Sequence, residues 1–139
     1  MEIQAYLFFE GHCEEAIKFY QQALSAELVM LMHYRDSPEP PSPECADQIS
    51  EDKIMHAMLR IGGSLLMVSD GLCSGKPVFA GFRLHLTAAT PAEAEQKFNA
   101  LAEGGEINMP LGKTFWSPSF GMLNDRFGVG WMVGVMEPV

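Results

Sequence analysis

A chain of 139 residues, 47% hydrophobic and 19% charged, has the composition of one globular domain, or of two half-size modules sharing a core, and not of a disordered segment. Nine basic against eighteen acidic residues leave a net charge of −9, which argues against DNA, RNA or acidic membranes as partners, because phosphates need a basic face. The three cysteines, Cys13, Cys45 and Cys73, are odd in number and fit a reducing cytoplasm better than a disulfide framework. No apolar run approaches the roughly 18 residues of a membrane helix, and Glu2 lies where a leader peptide would be basic.

In chain order, Ile3 to Phe9 reads as a first apolar strand and residues 13–24 as a helix with Ala16, Phe19, Tyr20 and Leu24 on one face. Glu27 to His33 is a second strand. Residues 36–52 are acidic and carry Pro38, Pro40, Pro41 and Pro43, the composition of an exposed loop or a lid. Lys53 to Ile61 and Ser64 to Ser69 are strands joined by a hairpin at Gly62-Gly63. Asp70 to Gly81 has no regular period and connects two modules.

Phe82 to Thr87 alternates as a strand, and Thr90, Pro91 and Glu93 mark a helix start, with Thr90 as N-cap. Ala94, Phe98 and Leu101 follow at helical spacing, and Gly104-Gly105 stops the helix. Glu106 to Leu111, Phe120 to Asn124 and Val129 to Val135 are strands, and Thr114 to Ser119 is a loop between them. Glu15, Ala16 and Tyr20 reappear as Glu93, Ala94 and Phe98, so the chain repeats one unit. The expected fold class is α+β: two βαβββ modules, 1–70 and 82–139, joined by 71–81. Leu24 and Leu101 are expected to be buried on the helix faces.

The combination of Gly11 with Cys13 to Ala16 and Phe19-Tyr20, Asp52 to Ala57, Met67 to Asp70, Phe98 to Gly105, Met109 to Leu111, Thr114 to Trp116 and Gly121 to Met132 resembles the vicinal oxygen chelate superfamily. More closely, the chain looks like the PhnB-like branch, often labelled 3-demethylubiquinone-9 3-methyltransferase domains. The resemblance implies curved mixed sheets around a cleft, helices outside, and a homodimer. It implies no single activity, because the fold hosts isomerases, oxygenases and binders.

The superfamily's metal enzymes use four pseudo-symmetric strand positions, which the repeat maps to Ala5, Met67, Arg83 and Met132. Alanine offers no donor, methionine is soft and arginine is a cation, so no metal is expected there. No Gly-rich strand–turn–helix marks a nucleotide-like cofactor, and none is expected. His12 is expected to cap the first helix and His33 to be exposed. Cys13, at a helix start, is weighed as a buried structural thiol against one with a lowered pKa.

Arg83 and His85 share one face of their strand, and His56 is expected opposite Ser69 on the face of Met67. Phe82, Leu84 and Leu86 are expected to pack under the helices. Trp116 is the expected wall of a ligand site, while Phe115, Phe120, Phe127 and Trp131 read as core. Asp125-Arg126 reads as a turn.

The expected ligand-binding residues are therefore His56, Met67, Arg83, His85, Trp116 and Met132. The expected function is binding of a small, anionic organic molecule without catalytic metal. Arg83→Met is expected to weaken anionic ligands and leave the melting temperature nearly unchanged. One rival is a superfamily enzyme of lyase, isomerase or dioxygenase type, with a displaced metal site built from His56, His85 and Glu44 or Asp47. Another is a dimeric interaction protein with a vestigial cleft.

Overall fold

The computed structural model describes residues 1–39, 50–71 and 76–136. The chain divides into two compact units, Met1–Pro77 and Val78–Val139. Unit 1 runs β1 (Tyr6–Phe8), α1 (Cys13–Leu24), β2 (Glu27–His33), a short 3₁₀ turn (Tyr34–Asp36), β3 (Ile54–Ile61) and β4 (Ser64–Ser69). Unit 2 runs β5 (Leu84–Ala88), α2 (Pro91–Ala102), β6 (Glu106–Gly112), β7 (Phe120–Asn124) and β8 (Gly130–Val135). The sheets have the same order, β1-β4-β3-β2 and β5-β8-β7-β6. In each, the first strand pairs parallel with the last and the other pairs are antiparallel.

Alternation assigns the two faces of each sheet. In unit 1, Leu7, Phe9, Ala57, Leu59, Leu66 and Val68 are buried on the side of α1, whose own buried stripe includes Ala16, Tyr20 and Leu24. In unit 2, Leu123, Trp131, Val133 and Val135 are buried with Ala94, Phe98 and Leu101 of α2. Gly121 lets the helix settle on the sheet: a Cβ there would stand 2.8 Å from the Phe98 ring and 3.0 Å from the Leu111 backbone. Leu24 and Leu101 are buried as expected, at 5% and 0% exposure.

The edge strands are irregular. β2 shifts register between Leu28 and Met30 and again between Met32 and His33, and β6 shifts on both sides of Met109. The two-residue turn between β3 and β4 joins Ile61 to Ser64, and Gly62 supplies the left-handed conformation at φ 57°.

Several expectations change. The first strand covers only Tyr6–Phe8, and Ile3 is exposed. The fifth begins at Leu84, so Phe82 is exposed instead of packed beneath a helix, and Leu84 and Leu86 are only half-buried. Thr90 Oγ1 accepts from the Glu93 N–H at 3.1 Å as an N-cap should. His12 occupies the N-cap position of α1 without a capping hydrogen bond from its side chain, which stands 3.7 Å from the Glu15 carboxylate instead. Its place is taken from a distance by Asp70, whose Oδ1 accepts from the Cys13 N–H at 2.9 Å. His33 is half-buried rather than exposed, held by its ring Nδ1 against the Asp52 carbonyl at 2.9 Å. Most of the acidic, proline-rich segment, residues 40–49, lies outside the described residues. Among those described, no helix is long and apolar enough to cross a membrane.

Candidate functional site

The face of each sheet turned away from its own helix carries most of the predicted site residues. In unit 1 the register places Tyr6 beside Met67, Met67 beside Met58 and Met58 beside Met30, one row across four strands. The next row holds Phe8 beside Ser69, and His56 beside Met32. In unit 2 the corresponding row is His85, Met132, Met122 and Met109. The following row is Thr87, Gly134, Phe120 and Gly112.

The two rows correct the repeat mapping. Met67 and Met132 are equivalent, as the sequence suggests, but their partners Tyr6 and His85 stand 79 residues apart, not 78. The helices keep the offset of 78 between Cys13 and Pro91, because the second unit has one residue fewer between strand and helix. Tyr6 therefore occupies the position equivalent to His85, and the expected match of Ala5 to Arg83 is corrected: Arg83 corresponds to Gln4.

In unit 1 the Tyr6 hydroxyl and His56 Nδ1 share a hydrogen bond of 2.8 Å, with the rings 5.4 Å apart. Phe8 stacks on Tyr6 at 4.9 Å. Partial burial raises the Tyr6 phenol above its ordinary value, against a smaller lowering by a hydrogen bond to Ser69. His56 is thus half-buried, hydrogen-bonded and on the face of Met67, as expected. The sequence does not single out Tyr6, which lies among apolar neighbours where a tyrosine passes for packing; its hydroxyl is the one signal.

Behind this face Asp70 is buried, accepting from the N–H groups of Cys13 at 2.9 Å and Ile54 at 2.6 Å. Its negative charge and the burial of Cys13 both push that thiol far above its ordinary value, burial being the larger cause. The helix start therefore does not activate Cys13. It is a structural thiol, fully buried.

In unit 2 Arg83 lies along β8. A Cβ on Gly130 would stand 3.1 Å from the Arg83 side chain, so glycine is what lets the arginine lie flat. Arg83 Nη1 donates to the carbonyls of Leu123 (3.0 Å) and Trp131 (3.4 Å) and to Asn124 Oδ1 (3.3 Å). Among the described residues no carboxylate pairs with it. Two residues on, His85 bonds Thr87 through Nδ1 at 3.2 Å and its ring stands 6.3 Å from that of Phe120. Phe120 lies over Gly134, where a Cβ would be 2.9 Å from the ring.

Trp116 meets Phe120 edge-on at 5.4 Å and is 48% exposed. Its loop is fixed by Thr114, whose Oγ1 accepts from the Trp116 and Ser117 N–H groups at 3.3 and 3.0 Å. Phe115, expected in the core, is 96% exposed, because the turn at Thr114 carries it outward. Asp125 makes the expected turn, accepting from the Phe127 and Val129 N–H groups, and also holds the Trp131 indole N–H at 2.9 Å. The open faces thus collect His56 with Met67, and Arg83 with His85, Met132 and, through Phe120, Trp116.

A separate open groove of unit 2, between α2, β6 and the segment before β7, is lined by Pro91, Phe98, Ile107, Pro110 and Pro118 and contains none of these residues. Its lining also holds Glu95, Asn99 and Ser119, an acid and two neutral polar groups, so it offers an anionic ligand no cation of the kind that Arg83 offers on the open face. Among the described residues no three His, Cys, Asp or Glu side chains are grouped as metal donors. Glu44 and Asp47, the acids of the rival metal site, lie outside the described residues.

Two βαβββ units with mixed four-stranded sheets define a glyoxalase-like fold, and a glyoxalase-related enzyme from Fulvimarina pelagi shares it, with a TM-score of 0.63 at 13% identity over 97% of this chain and 88% of that one. The chain belongs to the 3-demethylubiquinone-9 3-methyltransferase family, whose model matches residues 1–134, which places it in the PhnB-like branch of the vicinal oxygen chelate proteins. It is 37% identical to Protein YjdN of Escherichia coli over 99% of this chain and 97% of that protein. Among solved structures, protein PA1353 from Pseudomonas aeruginosa superposes with a TM-score of 0.84 at 45% identity, covering 99% of both chains. A PhnB protein from Bacillus cereus gives 0.78 at 31% identity, covering 97% of this chain and 99% of that one.

Proposed function

We propose that this protein binds a small organic anion on the open face of unit 2 and does so without a catalytic metal. The observation that carries this is Arg83: a half-buried guanidinium, oriented by three oxygen acceptors, with no carboxylate partner among the described residues. A partly buried charge is costly until it is paired, and a ligand carboxylate would supply the pair. His85 is the second polar group of the face, Met132 its apolar floor and Trp116 its wall. His56 and Met67 present a similar face on unit 1. The metal-free reading rests on the donor set, since thioethers and an arginine flank His85 where a hard ion needs oxygen or nitrogen. A cytoplasmic homodimer completes the reading, supported by the odd cysteine count and the family resemblance.

The test is a thermal-shift series of small carboxylates and their amides on wild type and Arg83→Gln. Carboxylates raise the melting temperature by mass action, by about 2.7 kcal/mol of stability at a hundred times Kd. The amides do not, and Arg83→Gln loses the effect. The variant itself melts lower, because removal of Nη1 frees three buried or half-buried acceptors; the expectation of an unchanged melting temperature is revised on this geometry. Equal shifts from acids and amides, or from wild type and variant, overturn the proposal. No shift from any compound favours the interaction-protein reading. One tightly held metal per subunit, measured on protein purified without chelator, overturns the metal-free half.

A further inference from the structure

Six of the ten methionines stand in the two rows described above: Met30, Met58 and Met67 in unit 1, Met109, Met122 and Met132 in unit 2. Their placement is specific to one face. Along β7 and β8 the helix side carries Leu123, Trp131, Val133 and Val135, and the open side carries Phe120, Met122 and Met132. A core that only needed volume would use the same aliphatic residues on both sides. Methionine differs from leucine in its polarisable sulfur and its adaptable shape, and thioethers make favourable contacts with aromatic rings.

Neighbouring strands are about 4.8 Å apart, so three methionines in a row form a strip about 10 Å long. That matches a flat two-ring body better than a single alkyl group. The row of Arg83 and Asn124 lies about 6.8 Å along the strands from the methionine row, and the Phe120–Trp116 pair bounds the other side. Among the described residues, only one of the two rows has beside it an arginine without a carboxylate partner. In unit 1 the nearby arginine, Arg60, is paired with Glu27 at 3.3 Å; Arg83 has no such partner among the described residues.

Building on the anion reading above, we infer that the ligand of unit 2 is an aryl carboxylate. Its ring system lies flat on Met122 and Met132, edged by Phe120 and Trp116, and its carboxylate meets Arg83. The charge decides the unit and the thioethers decide the ring.

The experiment uses the full chain with isotope-labelled methionine methyl groups and NMR titration. The probes are naphthoate, cyclohexanecarboxylate and naphthalenemethanol. Naphthoate is expected to move the Met122 and Met132 methyl signals upfield by ring current, and to bind about tenfold tighter than cyclohexanecarboxylate. Arg83→Gln is expected to weaken naphthoate but not naphthalenemethanol. Replacing Met122 and Met132 together by leucine is expected to erase the preference for the ring while keeping carboxylate binding. If both carboxylates bind wild type equally and both depend on Arg83, the aromatic inference is overturned and the anion site stands. If no carboxylate depends on Arg83, the underlying reading falls. Shifts confined to Met58 and Met67 would overturn the choice of unit.

Discussion

The Asp70 carboxylate holds two distant backbone groups, the first N–H of α1 and the first N–H of β3, from a position 57 residues beyond Cys13, where the helix it caps begins. A negative charge at a helix N-terminus is favourable in itself, and burial makes the two bonds expensive to lose. Asp70→Asn keeps the shape but turns an N–H₂ towards one of the two donors. It is expected to cost on the order of 1–3 kcal/mol in urea denaturation. A variant as stable as the parent would mean that the two N–H groups find other acceptors. The sequence hid this residue because nothing local marks a long-range cap. His12 holds the N-cap position, and only the absence of a capping hydrogen bond from its side chain reveals that the acceptor comes from elsewhere. Arg83, by contrast, was legible, since an arginine alternating with leucines on a short strand must emerge on the face opposite the core.

Helix α2 makes its close approach to β7 at a glycine. Gly121 faces Phe98, and the added methyl group of Gly121→Ala would have to displace the ring or the backbone of β6. Overpacking of that kind costs about 1–3 kcal/mol, whereas Leu101→Ala leaves a cavity worth about 2–5 kcal/mol. Chemical denaturation of the two variants checks both, and a neutral Gly121→Ala would mean that helix and sheet are not in tight contact there. Helices and strands were readable because their periods are long and their ends are marked by Thr90, Pro91 and the glycines. The register was less so: a repeat aligned on helix residues misses the one residue lost between β5 and α2, which moves the equivalent positions of β1 and β5 by one. A shift of one exchanges the two faces, so Ala5 stood in for Gln4 as the match of Arg83.

For the whole molecule, the buried thiol and the two raised phenols set an alkaline limit. Cys13 is raised by burial and by Asp70, Tyr6 by burial, and Tyr34 by burial and nearby acids. In the unfolded chain these groups ionise from their ordinary values of 9.0 and 10.0 upwards, while the folded chain keeps its protons. The unfolded state then binds fewer protons, so stability falls as pH rises above 9.0 and continues to fall until the folded groups ionise. Denaturation curves from about pH 8 to about pH 11 should show the decline, and Cys13→Ala should remove the part that begins at the lower value. A flat profile would mean that these groups are not protected in the folded state.

The interrupted register of β2 and β6 has a consequence for the protein in company. A sheet's outer strand offers unpaired N–H and C=O groups to any passing extended chain, and β2 exposes Leu28, Val29 and Met30 along that rim. Each shift of register bends the strand and breaks the regular spacing of those groups, and Pro110 removes a donor from β6 outright. The rims are greasy yet crooked, and a stray strand finds no straight ladder on which to begin a fibril.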